Sequence, residues 1–308
     1  MTKHISVLLK ESLTALNIQE DGIYVDATLG YGGHSGEILK RIPKGFLYAF
    51  DQDKEAINYS SKYLSSISSN FLIINNNFVN LKEELEKINV KEVDGFLFDI
   101  GVSSPQLDEK ERGFSYHEDA RLDMRMNREQ KLSAYEVVNN YSYEKLVDIL
   151  YRYGEEKYAK NIAKNIIKKR EEKNIETTLE LVDIIKNSMP EKAKRDKHPA
   201  RRTFQAIRIE VNNELEVLDK ALEDAISMLK VNGVLAVITF HSLEDTLVKE
   251  KFKKYTDIDK NLNNLPYIPE NLQPKYKLGK KITPSRYELE NNNRARSATL
   301  RTIIKIKE

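Results

Sequence analysis

The 308-residue chain contains no cysteine. That absence excludes disulfides, thiolate metal ligands, cysteine-ligated iron–sulfur clusters and any cysteine nucleophile. Apolar runs are short as well: none approaches the roughly 18 residues needed to cross a bilayer, and 32% of the residues are charged. A soluble chain with no membrane partner is expected. The opening stretch MTKHISVLLKES is only partly apolar and carries no small-residue cleavage site, so the reading is cytoplasmic rather than secreted. There is no G-x-x-x-x-G-K-[ST] loop for an ATP-hydrolysing site and no G-x-S-x-G elbow for a hydrolase. Internal repeats are missing too. The net charge of +2 is too small to imply a nucleic-acid partner, so the distribution of charge has to decide that question.

What is present alternates. Short runs rich in Val, Ile and Phe are separated by helix-length amphipathic stretches, the pattern of a parallel sheet with crossover helices. Strands are predicted near Tyr24–Thr28, Gly45–Phe50, Phe71–Ile74 and Gly95–Ile100, with helices near His34–Ile42, Lys54–Leu64 and Leu81–Ile88. The next convincing strand is Val234–Phe240, and a last one lies near Ala298–Ile306. The stretch from Ile100 to Val234 is many times the dozen or so residues that a crossover needs, so it reads as an inserted subdomain. Its periodicities are helical. Ala159, Ile162, Ala163, Ile166 and Ile167 share one face, and a stripe running Val211, Leu215, Leu218, Leu222, Ala225, Ile226 and Leu229 reads as one long helix returning to the sheet. The expected division is 1–108 and 211–308 for the sheet domain and 109–210 for the helical insert.

In DATLGYGGHSG the first strand runs into a glycine turn, where Gly30, Gly32 and Gly33 let the backbone approach a ligand and His34 or Ser35 opens a helix. The G-x-G-x-x-G fingerprint fails at its third glycine, where Ser35 stands. Asp51 ends the second strand, where a carboxylate accepts hydrogen bonds from ribose hydroxyls. On these residues NAD and S-adenosylmethionine fit equally, and a plain strand-to-helix join remains an alternative.

The fourth strand narrows the choice. FLFDIGVSSPQLD places Asp99 at its carboxyl end, followed by Ser103, Ser104, Pro105 and Gln106. This turn resembles the Asp/Asn/Ser-Pro-Pro-aromatic turn of enzymes that methylate exocyclic amino groups, although it has a single proline and Gln106 in place of the aromatic. An aromatic amine delocalises its lone pair into the ring, and acceptors gripping its N–H protons help localise that pair on nitrogen. Stacking would then come from elsewhere, with Phe78, Phe114 or Tyr116 as candidates. The missing cysteines matter here, because methylation at cytosine C5 ordinarily uses a cysteine nucleophile whereas transfer to N4 needs none.

Between Lys192 and Arg208, seven basic residues face Asp196 alone. This is a candidate phosphate footprint, with a solvated charged face as the alternative. Arg195, Arg201, Arg202 and Arg208 are its candidate RNA contacts, and Arg201 and Arg202 precede Phe204 and Gln205. Arg294, Arg296 and Arg301 form a second basic group. In ITFHSLED, Ser242 reads as a helix N-cap and His241 as a pocket residue. The other histidines show no ligand spacing, so no metal site is indicated.

Taken together, HISVLLKE, DATLGYGGHS, FDQD, FDIGVSSPQLD, RGFSY, LDMRM, YGEEKYAKNIA, HPARRTFQAIRIEVNNEL, ITFHSLED and RARSATLR, in order from residue 4 to residue 301, resemble one family. It is the S-adenosylmethionine-dependent methyltransferase family that modifies N4 of a cytidine in the decoding region of bacterial 16S ribosomal RNA. The resemblance implies an α/β fold: a Rossmann-like class I methyltransferase, its doubly wound sheet carrying an inserted all-helical subdomain that helps recognise RNA. It implies S-adenosyl-L-methionine as cofactor, with contacts at Gly32, Gly33, His34, Asp51, Phe78, Asp99 and Gln106. The partner it implies is 16S rRNA in the small subunit or a late assembly intermediate. Ala120-Arg121 departs from the family's Gly-Pro turn, and the segment around Asn261–Asn264 is idiosyncratic.

On this reading the methyl group passes in line to N4, with Asp99 and the Ser103–Pro105 turn as acceptors on the amine. The residues do not fix the oligomeric state, a homodimer being one option, or the group that removes the N4 proton. An NAD-linked oxidoreductase and a non-enzymatic RNA-binding assembly factor are the rival readings. The broken fingerprint disfavours the first, and intact Asp51, Asp99 and Gln106 disfavour the second.

Overall fold

The computed structural model describes residues 6–101, 109–194, 198–258 and 269–308. The chain forms two compact units, one made of Met1–Gly101 with Leu215–Glu308 and the other of Val102–Glu214. Along the chain come α1 (Leu9–Leu16), β1 (Ile23–Asp26), α2 (Gly33–Leu39), β2 (Phe46–Asp51), α3 (Lys54–Ser65), β3 (Phe71–Asn75), α4 (Leu81–Lys87) and β4 (Val93–Asp99). The second unit then holds α5 (Ala134–Asn140), α6 (Tyr143–Arg152), α7 (Ala159–Glu172), α8 (Thr178–Asn187) and α9 (Arg201–Asn212). The return runs through α10 (Glu214–Ser227), β5 (Leu229–Thr239), α11 (Ser242–Thr256), β6 (Tyr276–Leu278), α12 (Arg286–Asn291) and β7 (Thr299–Lys305). Among the described residues, no helix is long and apolar enough to cross a membrane.

The first unit is built on a seven-stranded sheet in the order β3-β2-β1-β4-β5-β7-β6. Strands β1 to β5 pair in parallel, whereas β7 is antiparallel to both β5 and β6. Strand alternation explains the two apolar layers. Val25, Phe96, Phe98, Leu235 and Val237 pack with Leu81 and Leu85 of α4, Leu218 and Leu222 of α10 and Val248 and Phe252 of α11. Their chain neighbours Tyr24, Leu97, Ala236 and Ile238 pack on the other face with Leu13 and Leu16 of α1, Ile38 and Leu39 of α2 and Leu64 of α3. Each such fully buried large side chain contributes roughly 1.5–3 kcal/mol of transfer free energy, so the sheet is fixed from both sides.

Chain order reverses between β1 and β4. The crossover after β1 moves outward to β2 and β3, while β4 and β5 lie on the opposite side, leaving a crevice at the carboxyl ends of β1 and β4 where such sheets bind ligands.

Among its described residues, the second unit has helices, turns and a single isolated bridge between Arg121 and Thr177. Leu146, Ile149 and Leu150 of α6, Ile162, Ala163 and Ile166 of α7, Leu181, Val182 and Ile185 of α8 and Phe204 and Ile207 of α9 form its core. Reciprocal capping boxes, Ser133 with Glu136 and Thr177 with Glu180, start α5 and α8.

Three features differ from the sequence expectation. The stripe from Val211 to Leu229 is not one helix: α9 ends at Asn212, Asn213 takes a left-handed φ of 49°, and α10 begins at Glu214. Asparagine tolerates that conformation better than most residues, and the hydrophobic stripe runs across the break unchanged. The short edge strand β6 and the helix α1 were not expected. The first has too few residues to show alternation, and the second starts behind Leu8 at a left-handed φ of 51°.

Candidate active site

Three aspartates stand at the carboxyl ends of β1, β2 and β4. Asp26 is 1% exposed. Its Oδ1 accepts the Thr28 N–H at 3.0 Å and its Oδ2 accepts the Ser35 hydroxyl at 2.7 Å, which ties the end of β1 to the first turn of α2. The Thr28 hydroxyl in turn accepts the Asp99 N–H at 2.7 Å. A single buried carboxylate therefore sets the spacing of β1, α2 and the end of β4.

Between Asp26 and α2 the chain turns through Gly30 (φ +49°) and Gly32 (φ +77°), a region where a side chain is strained. Asp51 holds this turn from β2, its Oδ2 accepting the Gly30 N–H at 2.8 Å and its Oδ1 the Asp53 N–H at 2.9 Å. The Ser60 hydroxyl donates to the Gly30 carbonyl. At Gly33 the backbone runs so close to the N-terminal segment that a Cβ would stand 2.0 Å from the Ser6 hydroxyl oxygen. The glycines are thus required by conformation at one end of the turn and by space at the other.

Asp99 ends β4. Its Oδ2 lies 3.5 Å from Nδ1 of His34, and the two side chains are 25% and 6% exposed. The other ring nitrogen of His34 lies 3.2 Å from the Val7 carbonyl oxygen. Burial, with the charges of Asp26 and Glu244 added, pushes the Asp99 carboxyl up to about 7. Burial likewise raises Asp51 to about 6 against the two N–H groups that hold it down, and raises Asp26 against the bonds from Ser35 and Thr28. Carboxyls gathered at a sheet's switch point with their proton affinities raised mark a functional site more often than a structural one.

Phe78 lies just beyond β3, partly buried, with its ring edge-on to Phe98 at 5.6 Å between centroids. Past β5, the N-cap of α11 is His241 rather than the expected Ser242: its ring accepts the Glu244 N–H while the Glu244 carboxylate accepts the His241 N–H. A His-x-x-Glu box does the work of the usual Ser-x-x-Glu, which is why the hydroxyl drew attention first. Asp245 on the same turn receives both arms of Arg301, at 2.7 and 2.9 Å. The hydroxyl of Thr28 and the buried Glu244, which no sequence spacing singled out, belong to the site through these contacts, as does the hydroxyl of Ser35, read from the sequence only as a helix opener.

Gly32, Gly33, His34, Asp51, Phe78 and Asp99 all belong to the first unit, on the carboxyl-end side of β1 to β4. Ser103, Ser104, Pro105, Gln106 and Arg195 lie outside the described residues. In the second unit Arg201 and Arg202 are exposed at the start of α9, and Arg202 donates to the Glu155 carbonyl at 3.0 Å. Arg208 makes a bidentate pair with Glu214 at 2.9 and 2.8 Å. Phe204, 4% exposed, is part of the insert's core and is closed to a base, while the partly exposed Gln205 donates one amide N–H to the Tyr153 carbonyl. Phe114 is also buried, whereas Tyr116 is partly open and stacks on His198 at 4.5 Å between centroids. Arg294 and Arg296 are exposed just before β7.

A parallel sheet with an antiparallel last strand, a glycine turn after β1, a carboxylate after β2 and an acid after β4 define a Rossmann-like methyltransferase of the S-adenosylmethionine-dependent class. The chain belongs to the MraW methylase family, whose model matches residues 1–306. It is similar to the ribosomal RNA small subunit methyltransferase H of Exiguobacterium sibiricum, at 54% identity over 311 residues covering 100% of both chains. Solved structures resemble it more distantly. An rRNA methylase from Streptococcus thermophilus matches at 12% identity and a TM-score of 0.45 over 100% of this chain and 99% of that one. An S-adenosylmethionine-dependent O-methyltransferase from Thermotoga maritima matches at 9% identity and 0.44 over 100% and 69%.

Proposed function

We propose that this methyltransferase transfers a methyl group from S-adenosylmethionine to the N4 amino group of one cytidine in the decoding region, at the P site, of 16S rRNA. Its substrate is the small ribosomal subunit or a late assembly intermediate, in the cytoplasm. The observation that carries the reading is Asp99, an acid whose carboxyl stands near neutrality at the crevice between β1 and β4. The 54% identical relative named for the small-subunit RNA supports the substrate class.

The residues present fit the cofactor. Each Asp51 oxygen accepts one backbone N–H, and a carboxylate oxygen has a second lone pair for a ribose hydroxyl. In this proposal the backbone N–H groups of Gly32 and Gly33 take the amino-acid end and Phe78, partly buried beyond β3, takes the adenine. When bound, the cofactor supplies a methyl group on a sulfonium whose sulfur keeps the bonding pair on transfer.

Asp99 is the acceptor on the amine. Gripping an N–H proton holds the nitrogen lone pair out of the ring and toward the methyl group, and the low-dielectric surroundings that raise its carboxyl also strengthen that bond. Ser103, Ser104 and Pro105 supply further acceptors and Gln106 a cofactor contact in this proposal. The cytosine has to leave any stack to reach Asp99. Arg201 and Arg202, with Arg195, Arg294 and Arg296 as further candidates, bind RNA phosphates, whereas the pair with Glu214 occupies Arg208; Tyr116 offers a ring to RNA bases.

The test uses small subunits from a strain lacking this gene, purified protein and isotopically labelled S-adenosylmethionine. Labelled N4-methylcytidine at a single decoding-region position is the expected result. Label at another atom, or on none of the subunit intermediates, overturns the proposal.

A further inference from the structure

The imidazole of His34, a residue the family resemblance marks as a cofactor contact, is buried. Its Nε2 lies 3.2 Å from the Val7 carbonyl oxygen, an atom that can only accept, so Nε2 carries the hydrogen. In the neutral ring Nδ1 then presents a lone pair, and it faces Asp99 Oδ2 at 3.5 Å. A lone pair facing a carboxylate gains nothing. The two close into a hydrogen bond only when a single proton lies between them, on the carboxyl or on the ring.

The other charged groups facing Asp99 favour that proton. Asp26 and Glu244 both act on Asp99 as negative charges. Asp26 is held by Ser35 and Thr28, and Glu244 approaches Nε2 of His241 at 2.9 Å. Among the described residues, no lysine or arginine acts on Asp99.

We infer that His34 is a positioning residue which, with Asp99, holds as one shared proton the proton released from the methylated amine. The inference rests on the N4 reading. In the step, the nitrogen forms its bond to the methyl carbon and becomes cationic while the pair of the broken carbon–sulfur bond stays on sulfur. One N–H bond then breaks, its electron pair remains on nitrogen, and the proton passes to the Asp99 carboxylate beside His34 Nδ1. It leaves to solvent through the open quarter of the Asp99 side chain before the next turnover.

The first test needs no substrate. Nitrogen-15 NMR of histidine-labelled, cofactor-free protein, with His34→Gln to assign the signals, is expected to show His34 protonated at Nε2. Its Nδ1 signal should change over the pH range in which Asp99 titrates, and Asp99→Asn should abolish that change. A neutral ring that carries its hydrogen on Nδ1 and none on Nε2, or an unchanged profile in Asp99→Asn, overturns the inference. The second test compares binding and turnover in His34→Gln, whose amide can still donate to the Val7 carbonyl. S-adenosylhomocysteine affinity is read first so that turnover is measured with cofactor saturated, and under those conditions kcat on small subunits should fall tenfold or more while the midpoint of the pH–rate profile moves. A fall in kcat with an unmoved midpoint means a purely structural role and overturns the inference as well. If the NMR result holds and the wild type methylates no subunit, the pair stands and the N4 reading falls.

Discussion

Cofactor affinity should depend on one proton at Asp51. Both of its oxygens already accept backbone N–H groups, from Gly30 at 2.8 Å and Asp53 at 2.9 Å, and burial raises its carboxyl to about 6. Ribose hydroxyls donating to the same oxygens require the ionised form, so below that value binding must first expel a proton. At pH 5 about one molecule in eleven is ionised, which weakens binding about tenfold relative to pH 8, or roughly 1.4 kcal/mol. Asp51→Asn offers one acceptor and one donor, and either way round its NH₂ meets a backbone N–H. One hydrogen bond is lost, about 1–3 kcal/mol or roughly 5- to 150-fold in affinity, and the step near pH 6 disappears. Calorimetric titration with S-adenosylhomocysteine from pH 8 to pH 5 reads both effects. Asp99 has its own step higher, at about 7, so Asp99→Asn should remove that one and leave the Asp51 step in place. A wild-type affinity that is flat over this range, or an Asp51→Asn variant that keeps the lower step, would refute the reasoning.

Other predictions concern stability and RNA. Because the Asp99 carboxyl is raised from 3.8 to about 7, the native state binds this proton more tightly than the unfolded chain, and its contribution to stability falls as pH rises between those values. Asp99→Asn is therefore expected to raise the melting temperature at pH 8, with the gain shrinking below pH 7; a larger gain at pH 5.5 would contradict the sign. Arg208 and Glu214, with side chains 16% and 8% exposed, form a pair whose rupture strands a buried carboxylate. Arg208→Ala should cost about 3 kcal/mol in urea unfolding, with most of that recovered when Glu214→Ala is added. Simple additivity of the two losses would count against the pair. Replacing the exposed Arg201 and Arg202 with Ala should lower the salt slope of RNA binding by about 1.5; an unchanged slope returns that face to plain solvation.

The sheet was legible because a parallel strand buried on both faces shows as a Val-, Ile- and Phe-rich run, as β1, β2 and β4 do, and the edge strand β3 carries the same residue types although none of its residues is fully buried. The turn after β1 was legible because its glycines answer to a conformation and a contact that only glycine meets, at Gly32 and Gly33. What could not be read depends on neighbours distant in sequence. The bond from the Asp99 N–H to the Thr28 hydroxyl spans 71 positions, and the approach of Glu244 to Asp99 joins β4 to a helix on the far side of the insert. Phe204 looked like an RNA-facing ring because it follows Arg201 and Arg202, yet two residues on from the exposed Arg202 the helix has turned by about 200° and puts it in the insert's core. The end of α9 was hidden for a related reason. Asn213 reverses the backbone without interrupting the hydrophobic stripe, so only the Asn212-Asn213 pair hinted at a stop.

The most direct measurement is single-turnover methyl transfer to small subunits, at saturating S-adenosylmethionine, for wild type and Asp99→Ala. If Asp99 grips the amine and takes its proton, the rate constant falls by on the order of 10² to 10⁴ with cofactor saturated. A variant that binds cofactor and methylates N4 at a near-wild-type rate would contradict the assignment.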